Sequence, residues 1–395
     1  MFNSRKISVL GGDKFRDERS LAFDGSNDYV TMGDVLNLGT GDFTISIWAK
    51  CASWGGVQRY LISKFEDTDN RWYIRVKDDD PPRLQLYTKI GGSESGKNTF
   101  YGDNTVGPSF DDLNGQWVHI CISSDRDGQN MGYINSVLND SDSGSTATMD
   151  TDGNLEIGRY STNEFVGNIS EVAIYNKALS TSEVKTIYNG REPYNHNEGV
   201  ASSNLQAWWR MGDGRLDSFG YNGIVGDETD IAIGSELITN GTMEADSNWG
   251  NQSSPSTNER STTQVHSGTY SRKFTPSSSN DGIKSDTFTS AVASYKISFW
   301  VYPDDSTKVS WKFVEHDGTA HSGSTTGLTQ DAWNYVEFYA KSASAGSSAY
   351  IAIMGGDETS GDWYVDDVSV KKLGGYPGIM TNMTADDFEG DSHGL

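Results

Sequence analysis

The stretch Phe43-Thr44-Ile45-Ser46-Ile47-Trp48-Ala49-Lys50 decides the fold class, because apolar and polar side chains alternate along it with a period of two. Successive side chains of a β-strand point to opposite faces of the sheet, so this pattern predicts a strand with one buried face. The same alternation recurs in Tyr295-Lys296-Ile297-Ser298-Phe299-Trp300-Val301. Each stretch carries a tryptophan, Trp48 or Trp300, on its otherwise polar face. Such a tryptophan either packs under a crossing loop or forms a platform for a sugar ring.

Further alternating stretches flank the first one. Residues 72–77 and 84–87 are joined by the turn Asp78-Asp79-Asp80-Pro81-Pro82, which predicts a hairpin with one face in water. Later stretches with the same pattern are residues 117–122, 154–159 and 169–175. Many short strands of this kind predict an all-β chain.

One short helix interrupts the strands. Ser180 with Glu183 three residues later forms a capping box, and Leu179 with Val184 forms a hydrophobic staple. Asn189-Gly190 ends the helix after about two turns. We therefore expect a short helix that covers one end of the first sheet pair.

The composition agrees with this fold class. The 395 residues include 44 glycines and 8 prolines, and 11% are aromatic, which suits short strands joined by tight turns. The net charge of −24 repels nucleic acid and anionic membranes, so we expect neither nucleic-acid binding nor membrane insertion. The same acidic side chains could hold Ca²⁺.

Two features bear on the cellular compartment. Cys51 and Cys121 are the only cysteines, and the sequence leaves open whether they are bonded. The start, Met1-Phe2-Asn3-Ser4-Arg5-Lys6, lacks the apolar region of a secretory signal. The sequence therefore predicts a protein that is made in a cytosol and exposed later.

The first half carries a family resemblance. Ser20-Leu21-Ala22-Phe23-Asp24-Gly25, the stretch 43–48, Trp117-Val118-His119-Ile120 and the closing stretch 165–180 together resemble a laminin-G-like, concanavalin A-like jelly roll. The resemblance implies a β-sandwich over residues 19–192. It does not imply a particular ligand, since such sandwiches serve as lectins, adhesion domains and spacers.

The second half resembles the family 4/9 carbohydrate-binding modules. The residues that carry this resemblance are Asn240-Gly241-Thr242-Met243-Glu244, His266-Ser267-Gly268 and Asp366-Asp367-Val368. It implies a second jelly roll over residues 235–373 and a structural Ca²⁺ held by Glu244 with Asp366 or Asp367. The alternative is that these are solvated acids.

Two other sets of residues are site candidates. Asp24 and Asp28 are further candidates for Ca²⁺, although turn chemistry alone explains acids at these positions. Aromatic residues in irregular or polar stretches often mark a binding surface. The sugar-binding candidates chosen on this ground are Trp249, Trp311, Trp54 and Tyr101.

A split motif gives the clearest biological signal. Trp208-Trp209-Arg210-Met211-Gly212-Asp213 and the tail Gly378-Ile379-Met380-Thr381-Asn382-Met383 together resemble a signature that follows laminin-G-like domains in structural proteins of tailed bacteriophages. The whole second domain separates the two pieces. We therefore infer that it is inserted into, or before the end of, that terminal segment, and we expect residues 207–226 and 376–387 to lie close together. The alternative is that the two pieces are unrelated polar tails.

These resemblances imply a non-catalytic structural or adhesive component of a tailed-bacteriophage virion, either a head decoration or a tail or fibre appendage. Its expected partners are other virion proteins, host cell-surface polysaccharide and further copies of itself. The alternative is a bacterial cell-surface or exported carbohydrate-binding protein, which would be extracellular. A jelly-roll glycosidase is the third hypothesis.

No catalytic motif supports an enzyme. The E-x-D-x-x-E strand of jelly-roll glycosidases is approached only by Glu244-Ala245-Asp246, and Trp249 stands where the second glutamate is required. The motif H-E-x-x-H is absent, and G-x-S-x-G occurs once, in the tail as Gly390-Asp391-Ser392-His393-Gly394. Nothing in the sequence places a serine or cysteine nucleophile beside His119.

The sequence thus divides into five segments. Residues 1–18 form an arm whose cationic side chains, with Arg19 just beyond, could bind an acidic partner. The other segments are the jelly roll 19–192, the connection 193–234, the jelly roll 235–373 and the tail 374–395. The predicted fold class is all-β, with two antiparallel β-sandwiches in tandem and one short helix closing the first.

Overall fold

The computed structural model describes residues 16–100, 108–214, 217, 223–229, 233–304, 306–342, 344–356 and 360–390. Strands dominate this part of the chain. The strands before the helix are β1 (Ser20–Asp24), β2 (Tyr29–Gly33), β3 (Phe43–Lys50), β4 (Arg59–Phe65), β5 (Arg71–Lys77), β6 (Arg83–Ile90), β7 (Ser93–Phe100), β8 (Val118–Ser124), β9 (Gln129–Ile134), β10 (Val137–Ser143), β11 (Asn154–Ile157), β12 (Arg159–Tyr160), β13 (Asn163–Glu164) and β14 (Val166–Tyr175).

The capping box is present as predicted, with Ser180 and Glu183 each accepting from the other's backbone N–H, and it begins helix α1 (Thr181–Tyr188). Short 3-10 helices are Phe110–Leu113, Asn189–Arg191, Ser202–Asn204 and Ala385–Asp387. The strands after α1 are β15 (Leu205–Trp209), β16 (Ile224–Val225), β17 (Ile233–Glu236), β18 (Trp249–Gln252), β19 (Thr257–Ser261), β20 (Ser271–Thr275), β21 (Gly282–Ser285), β22 (Phe288–Ser290), β23 (Ala293–Pro303), β24 (Lys308–Val314), β25 (Ala320–Thr326), β26 (Asn334–Ser342), β27 (Gly346–Met354), β28 (Trp363–Leu373), β29 (Gly378–Thr381) and β30 (Phe388–Glu389).

The first sandwich consists of two antiparallel sheets. One has the order β10-β9-β8-β3-β14-β1-β30, with β15 also paired to β14, and the other has the order β16-β29-β2-β11-β4-β5-β6-β7. Apolar residues at alternate positions of both sheets, such as Ile45, Ile74 and Ile120, are buried in the core between them. The period-two pattern therefore gives the layer structure that the sequence predicts.

The connection and the tail complete this first sandwich, although the sequence divides them from it. β15 extends along β14, β16 pairs with β29, and β29 pairs with β2 through Val30 and Met380. The physical reason is apolar burial, since Trp209, Met211 and Val225 fill the same core. The expected proximity of residues 207–226 and 376–387 is confirmed, because Ile224 is paired with Ile379.

The second sandwich is formed by one continuous segment, from β17 to β28. Its sheets have the orders β19-β20-β28-β23-β26, with β17 beside β28, and β18-β21-β27-β24-β25, with β22 beside β27. Buried aromatic rings, among them Trp311, Phe338 and Trp363, fill the space between them. The predicted fold class is thereby confirmed.

The two sandwiches touch through a small apolar contact. Ile224 of the first packs with Tyr339 and Leu373 of the second. Lys341 reaches from the second sandwich toward Glu156 of the first, and burial lowers the pKa of Lys341 to about 8. The second domain is thus held to the first at the end from which its chain enters and leaves.

Two further expectations are resolved in the described residues. Cys51 and Cys121 are both buried free thiols. Burial raises the pKa of the Cys51 thiol to about 12, so this thiol is un-ionised at neutral pH. No helix in the part of the chain that the structure describes is long and apolar enough to span a membrane.

Candidate functional site

The structure places three of the four predicted sugar-binding aromatics in the cores. Trp54, Trp249 and Trp311 are 0%, 4% and 1% exposed. The indole N–H of Trp54 donates to the carbonyl of Leu113, and that of Trp249 donates to the carbonyl of Asn240. A ring that is enclosed in this way cannot stack on a sugar, so the prediction is wrong for these three. Tyr101 lies outside the described residues.

Trp48 is also buried, beneath helix α1. It is 3% exposed, and its ring stacks on Tyr188 of α1 with centroids 5.6 Å apart. His119 packs beside it at 5.1 Å and shares a 2.8 Å hydrogen bond between its Nε2 and Ser46 Oγ. A serine therefore does lie beside His119, contrary to expectation. Both are fully buried, so this pair has no access to a substrate.

Trp300 has the opposite surroundings. Along β23 the odd-numbered residues from Ile297 to Val301 are buried, while Ser298, Trp300 and Tyr302 on the other face are only partly buried. Cross-strand pairing places Trp300 between Tyr335 on β26 and Asp366 on β28. The outer face of this sheet therefore carries a row of side chains that the core does not use.

We define the aromatic face by the rings that meet there. Trp300 lies 3.9 Å from His266 and 5.4 Å from Tyr335, measured between ring centroids. Tyr302 lies edge-on to Trp333 at 5.7 Å. Its members are His266, Trp300, Tyr302, Trp333, Tyr335 and Tyr364. Tyr335 is the most open of them at 41% exposure.

Charged and hydroxyl groups continue along one side of the aromatic face. Glu337 accepts hydrogen bonds from the hydroxyls of Tyr335 (2.7 Å) and Tyr339 (2.9 Å) and pairs with Lys296 at 2.9 Å. Burial raises the pKa of Glu337, but these three partners outweigh it and leave the pKa below its usual value. The carboxylate stays ionised and fixes the orientation of the Tyr335 ring.

The predicted calcium ligands converge on a turn rather than on each other. Asp366 accepts the backbone N–H groups of His266 and Ser267, both at 3.1 Å. Glu244 accepts the backbone N–H groups of Thr269 and Tyr270 at 2.7 and 3.0 Å. Asp366 Oδ2 and Glu244 Oε1 thus each accept two backbone N–H groups of this turn. The structural Ca²⁺ held by Glu244 with Asp366 or Asp367 therefore stays a prediction, and burial raises the pKa of Asp366 to about 6.

The acids near the start of the first sandwich serve a turn. Asp24 accepts the backbone N–H groups of Ser26 and Asn27, and these bonds lower its pKa. Asp28 accepts the backbone N–H of Asp24 at 3.0 Å. Turn chemistry therefore accounts for both residues, as the alternative interpretation proposed.

Another acidic group was not found from the sequence. Asp42, Asp125 and Asp127 form the one described group of three His, Cys or acidic side chains whose ligand atoms all lie within 4.8 Å of one another. A hydrogen bond with Asp127 raises the pKa of Asp125. Asp42 lies far from Asp125 and Asp127 in the sequence, so a search for local motifs does not detect this group.

The first sandwich also has a cleft of about 640 Å³. Its lining combines exposed Val57 and Val166 with polar groups of Gln58, Arg59 and Tyr60. The Arg59 guanidinium donates from Nε and Nη2 to the carbonyl of Ser53. The aromatic face of the second sandwich is therefore the stronger candidate for recognition of a ring-shaped ligand.

Comparison with known proteins supports the fold of the first half. Residues 24–185, less than half of the chain, match the family model described as the concanavalin A-like lectin/glucanases superfamily. This agrees with the laminin-G-like, concanavalin A-like resemblance of that segment. No curated protein matches the chain.

Solved structures with related folds include proteins of several kinds. A heptameric pentraxin of Limulus polyphemus has 18% identity and a TM-score of 0.34, covering 44% of this chain and 82% of its own. Domain 4 of an extracellular arabinanase of Geobacillus stearothermophilus, solved with arabinotriose, has 20% identity and a TM-score of 0.33, covering 46% and 84%. A xylan-binding domain of Paenibacillus barcinonensis has 13% identity and a TM-score of 0.30, covering 36% and 96%. At such identities and TM-scores, these likenesses carry no argument about function.

Proposed function

We propose that this chain is a non-catalytic glycan-binding protein and that the aromatic face of its second sandwich is the binding surface. The observation that carries the proposal is the partly exposed Trp300 beside the 41% exposed Tyr335 on one sheet face. The CH groups of a pyranose pack on aromatic rings. The protein hydroxyl and carboxylate groups beside these rings can form hydrogen bonds with the sugar hydroxyls.

The charge of the chain narrows the class of glycan. A net charge of −24 repels an anionic polysaccharide, most strongly at low salt. Glu337 adds an ionised carboxylate close to the aromatic face. The ligand class that fits is therefore a neutral polysaccharide.

The finer part of the proposal is a role as an adhesive component of a tailed-bacteriophage virion. It is supported by the resemblance of the split motif to structural proteins of such particles. The pairing of Ile224 with Ile379, which brings the two pieces of the motif together, is consistent with a domain inserted into that motif. Display of many copies on a particle would give avidity, so weak binding at each site suffices.

The binding proposal is tested by titrating the full chain with soluble arabinoxylan, mixed-linkage β-glucan and galactan in a calorimeter. We expect at least one of them to bind, and we expect Trp300→Ala to weaken that binding by tenfold or more. Tyr376→Ala is the matched control, because Tyr376 is similarly exposed (37%) but lies in the tail. Equal affinity of the Trp300→Ala variant would reject the aromatic face as the binding surface.

Two further measurements separate the rival functions. Mass spectrometry of purified particles of a phage that carries this sequence should detect the chain, whereas its absence from them favours a bacterial surface protein. Turnover of aryl glycosides that disappears when one carboxylate is mutated would establish a glycosidase instead. We expect no turnover.

A further inference from the structure

An irregularity in strand β28 brings two neighbouring carboxylates to one place. The pairing of β23 with β28 shifts register between Ser298 and Trp300, and Asp367 has a positive φ of 49°. A regular strand would direct Asp366 and Asp367 to opposite faces, but a bulge removes that alternation. Both carboxylates consequently accept hydrogen bonds from the same turn, at His266 and Ser267.

This turn is pinned from both of its ends. Asp366 holds the N–H groups at its start, and Glu244 holds those of Thr269 and Tyr270 at its end. Gly268 between them has a φ of 68°, and a Cβ there would lie 2.2 Å from Glu244 Oε1. The turn therefore requires glycine at this position, and its backbone has little freedom.

The pinned turn sets His266 against the aromatic face. The imidazole lies nearly parallel to the Trp300 indole, with an angle of 17° and a centroid separation of 3.9 Å. Its Nδ1 lies 2.7 Å from Asp367 Oδ2. The carboxylate is an acceptor, so Nδ1 carries the hydrogen. In the neutral ring, Nε2 is then an acceptor, and no hydrogen bond to it is observed from the described residues.

We propose that His266 is a positioning and specificity residue of the aromatic face. It supports one side of the Trp300 indole, and its Nε2 accepts a hydrogen bond from a hydroxyl of a sugar stacked on that face. The Asp367 carboxylate selects the tautomer that makes this acceptor available. This inference rests on the proposed function, and it assigns to the Asp366–Asp367 pair a role in recognition.

A measurement without ligand tests the positioning half. Long-range ¹H–¹⁵N correlation spectra of the full chain at pH 8, recorded in EDTA to remove metal ions, distinguish the two tautomers of His266. We expect the Nδ1–H form in the wild type and a mixture of tautomers in Asp367→Asn. Asp246→Asn is the matched control, since Asp246 pairs with Arg272 instead. A dominant Nε2–H form in the wild type would overturn the inference.

Affinity measurements test the recognition half, with the polysaccharide that binds the wild type most tightly. His266→Phe keeps a flat ring on Trp300 but removes the acceptor, and we expect roughly a two- to tenfold loss, the usual effect of one hydrogen bond. His266→Ala also removes the support, and we expect a larger loss. In a Trp300→Ala background, His266→Ala should cost no more than His266→Phe costs in the wild type, because the support has nothing left to act on and only the hydrogen bond is lost.

The outcomes distinguish this inference from the proposed function. Wild-type affinity in His266→Phe would exclude the acceptor role, and equal losses for His266→Ala with and without Trp300 would exclude the positioning role. If the wild type binds none of the polysaccharides, the proposed function and the sugar contact both fail. An Nδ1–H tautomer would in that case still support the positioning of the ring.

Discussion

Trp48 and Trp300 occupy the same place in two similar strands, yet the first is buried and the second is partly exposed. A histidine packs against each indole, His119 against Trp48 and His266 against Trp300. The two indoles differ in what packs over them. Tyr188 of α1 stacks on Trp48, whereas Trp300 has the exposed Tyr335 as its cross-strand neighbour. One strand pattern therefore serves packing in one sandwich and presents a surface in the other.

The sandwiches also differ in how the chain builds them. The second uses the continuous stretch from β17 to β28, whereas the first needs β15, β16, β29 and β30 from segments on both sides of it. Its closing seam, which we define by the buried groups around Arg210, includes an ion pair of Arg210 with Glu171 (3.0 Å) and places Asp17 Oδ1 3.9 Å from the same guanidinium group. The split motif thus has a structural part in the fold.

The largest effect is expected from cutting the chain. A fragment of residues 233–373 should fold, because it holds every strand of its two sheets. A fragment of residues 19–192 loses Trp209, Met211, Val225 and Met380 from its core. Removing such buried side chains costs about 2–5 kcal/mol each, and the sum for four is comparable with the roughly 5–15 kcal/mol of a typical domain. Near-ultraviolet circular dichroism during heating shows whether each fragment unfolds cooperatively. A cooperative transition for the fragment 19–192 would show that the first sandwich does not need the closing seam to fold.

The next effect separates the two tryptophans. Trp48→Ala should lower the free energy of unfolding by about 3–5 kcal/mol, because it opens a cavity under α1, and it should leave polysaccharide affinity unchanged. Trp300→Ala should do the reverse, with a small effect on stability and a large one on affinity. Urea denaturation and calorimetry on both variants provide the test. Loss of affinity in Trp48→Ala at temperatures where it is folded would break the distinction.

A smaller effect concerns the pH dependence of stability that arises from a buried acid of the closing seam. Burial raises the pKa of Asp17 to about 8, and that of Asp217 to about 6. Between about pH 4 and 8 the folded chain therefore keeps a proton on Asp17 that the unfolded chain has released. The contribution of Asp17 to the free energy of unfolding is therefore fully present below about pH 4. It decreases as the pH rises to about 8, by up to about 1.4 kcal/mol per pH unit.

Asp17→Asn should flatten this dependence. Urea denaturation of the full chain at pH 5, 6, 7 and 8 measures it, with the fragment 233–373 as the reference that lacks the seam. In that fragment Asp366, whose pKa is about 6, gives the same sign over a narrower range. Identical slopes for the wild type and Asp17→Asn between pH 6 and 8 would contradict the role of Asp17.

The smallest effect tests the cover over Trp48. Ser180→Ala removes the N-cap of α1 and should lower stability by about 1 kcal/mol, because the backbone N–H of Glu183 loses its acceptor. Ser182→Ala on the same helix is the control, since it leaves the cap in place. Thermal unfolding of both variants should show a lower midpoint for Ser180→Ala alone. Sugar affinity should be equal in the two.

The sequence was sufficient for the local structure. Alternation predicted the strands that carry Trp48 and Trp300, and the capping box predicted α1. These signals are local, because strand period and helix caps depend on neighbouring residues. Resemblance also predicted that the split motif comes together, which the pairing of Ile224 with Ile379 confirms.

The site was harder to predict, because exposure depends on residues distant in sequence. Trp249 and Trp54 lie in irregular stretches, which suggested a surface, but their indoles bond to the Asn240 and Leu113 carbonyls inside the cores. The useful signal was the polar-face position of Trp300, and it is identical for the buried Trp48. Only the location of α1 in three dimensions separates the two.

The most direct test of the aromatic face is the structure of the full chain with a neutral oligosaccharide of the polysaccharide that binds best. Our account predicts a sugar ring stacked in the region of Trp300 and Tyr335, with a hydroxyl within hydrogen-bond distance of His266 Nε2. A sugar bound instead in the cleft beside Val57 and Val166 of the first sandwich, with the aromatic face empty, would contradict it.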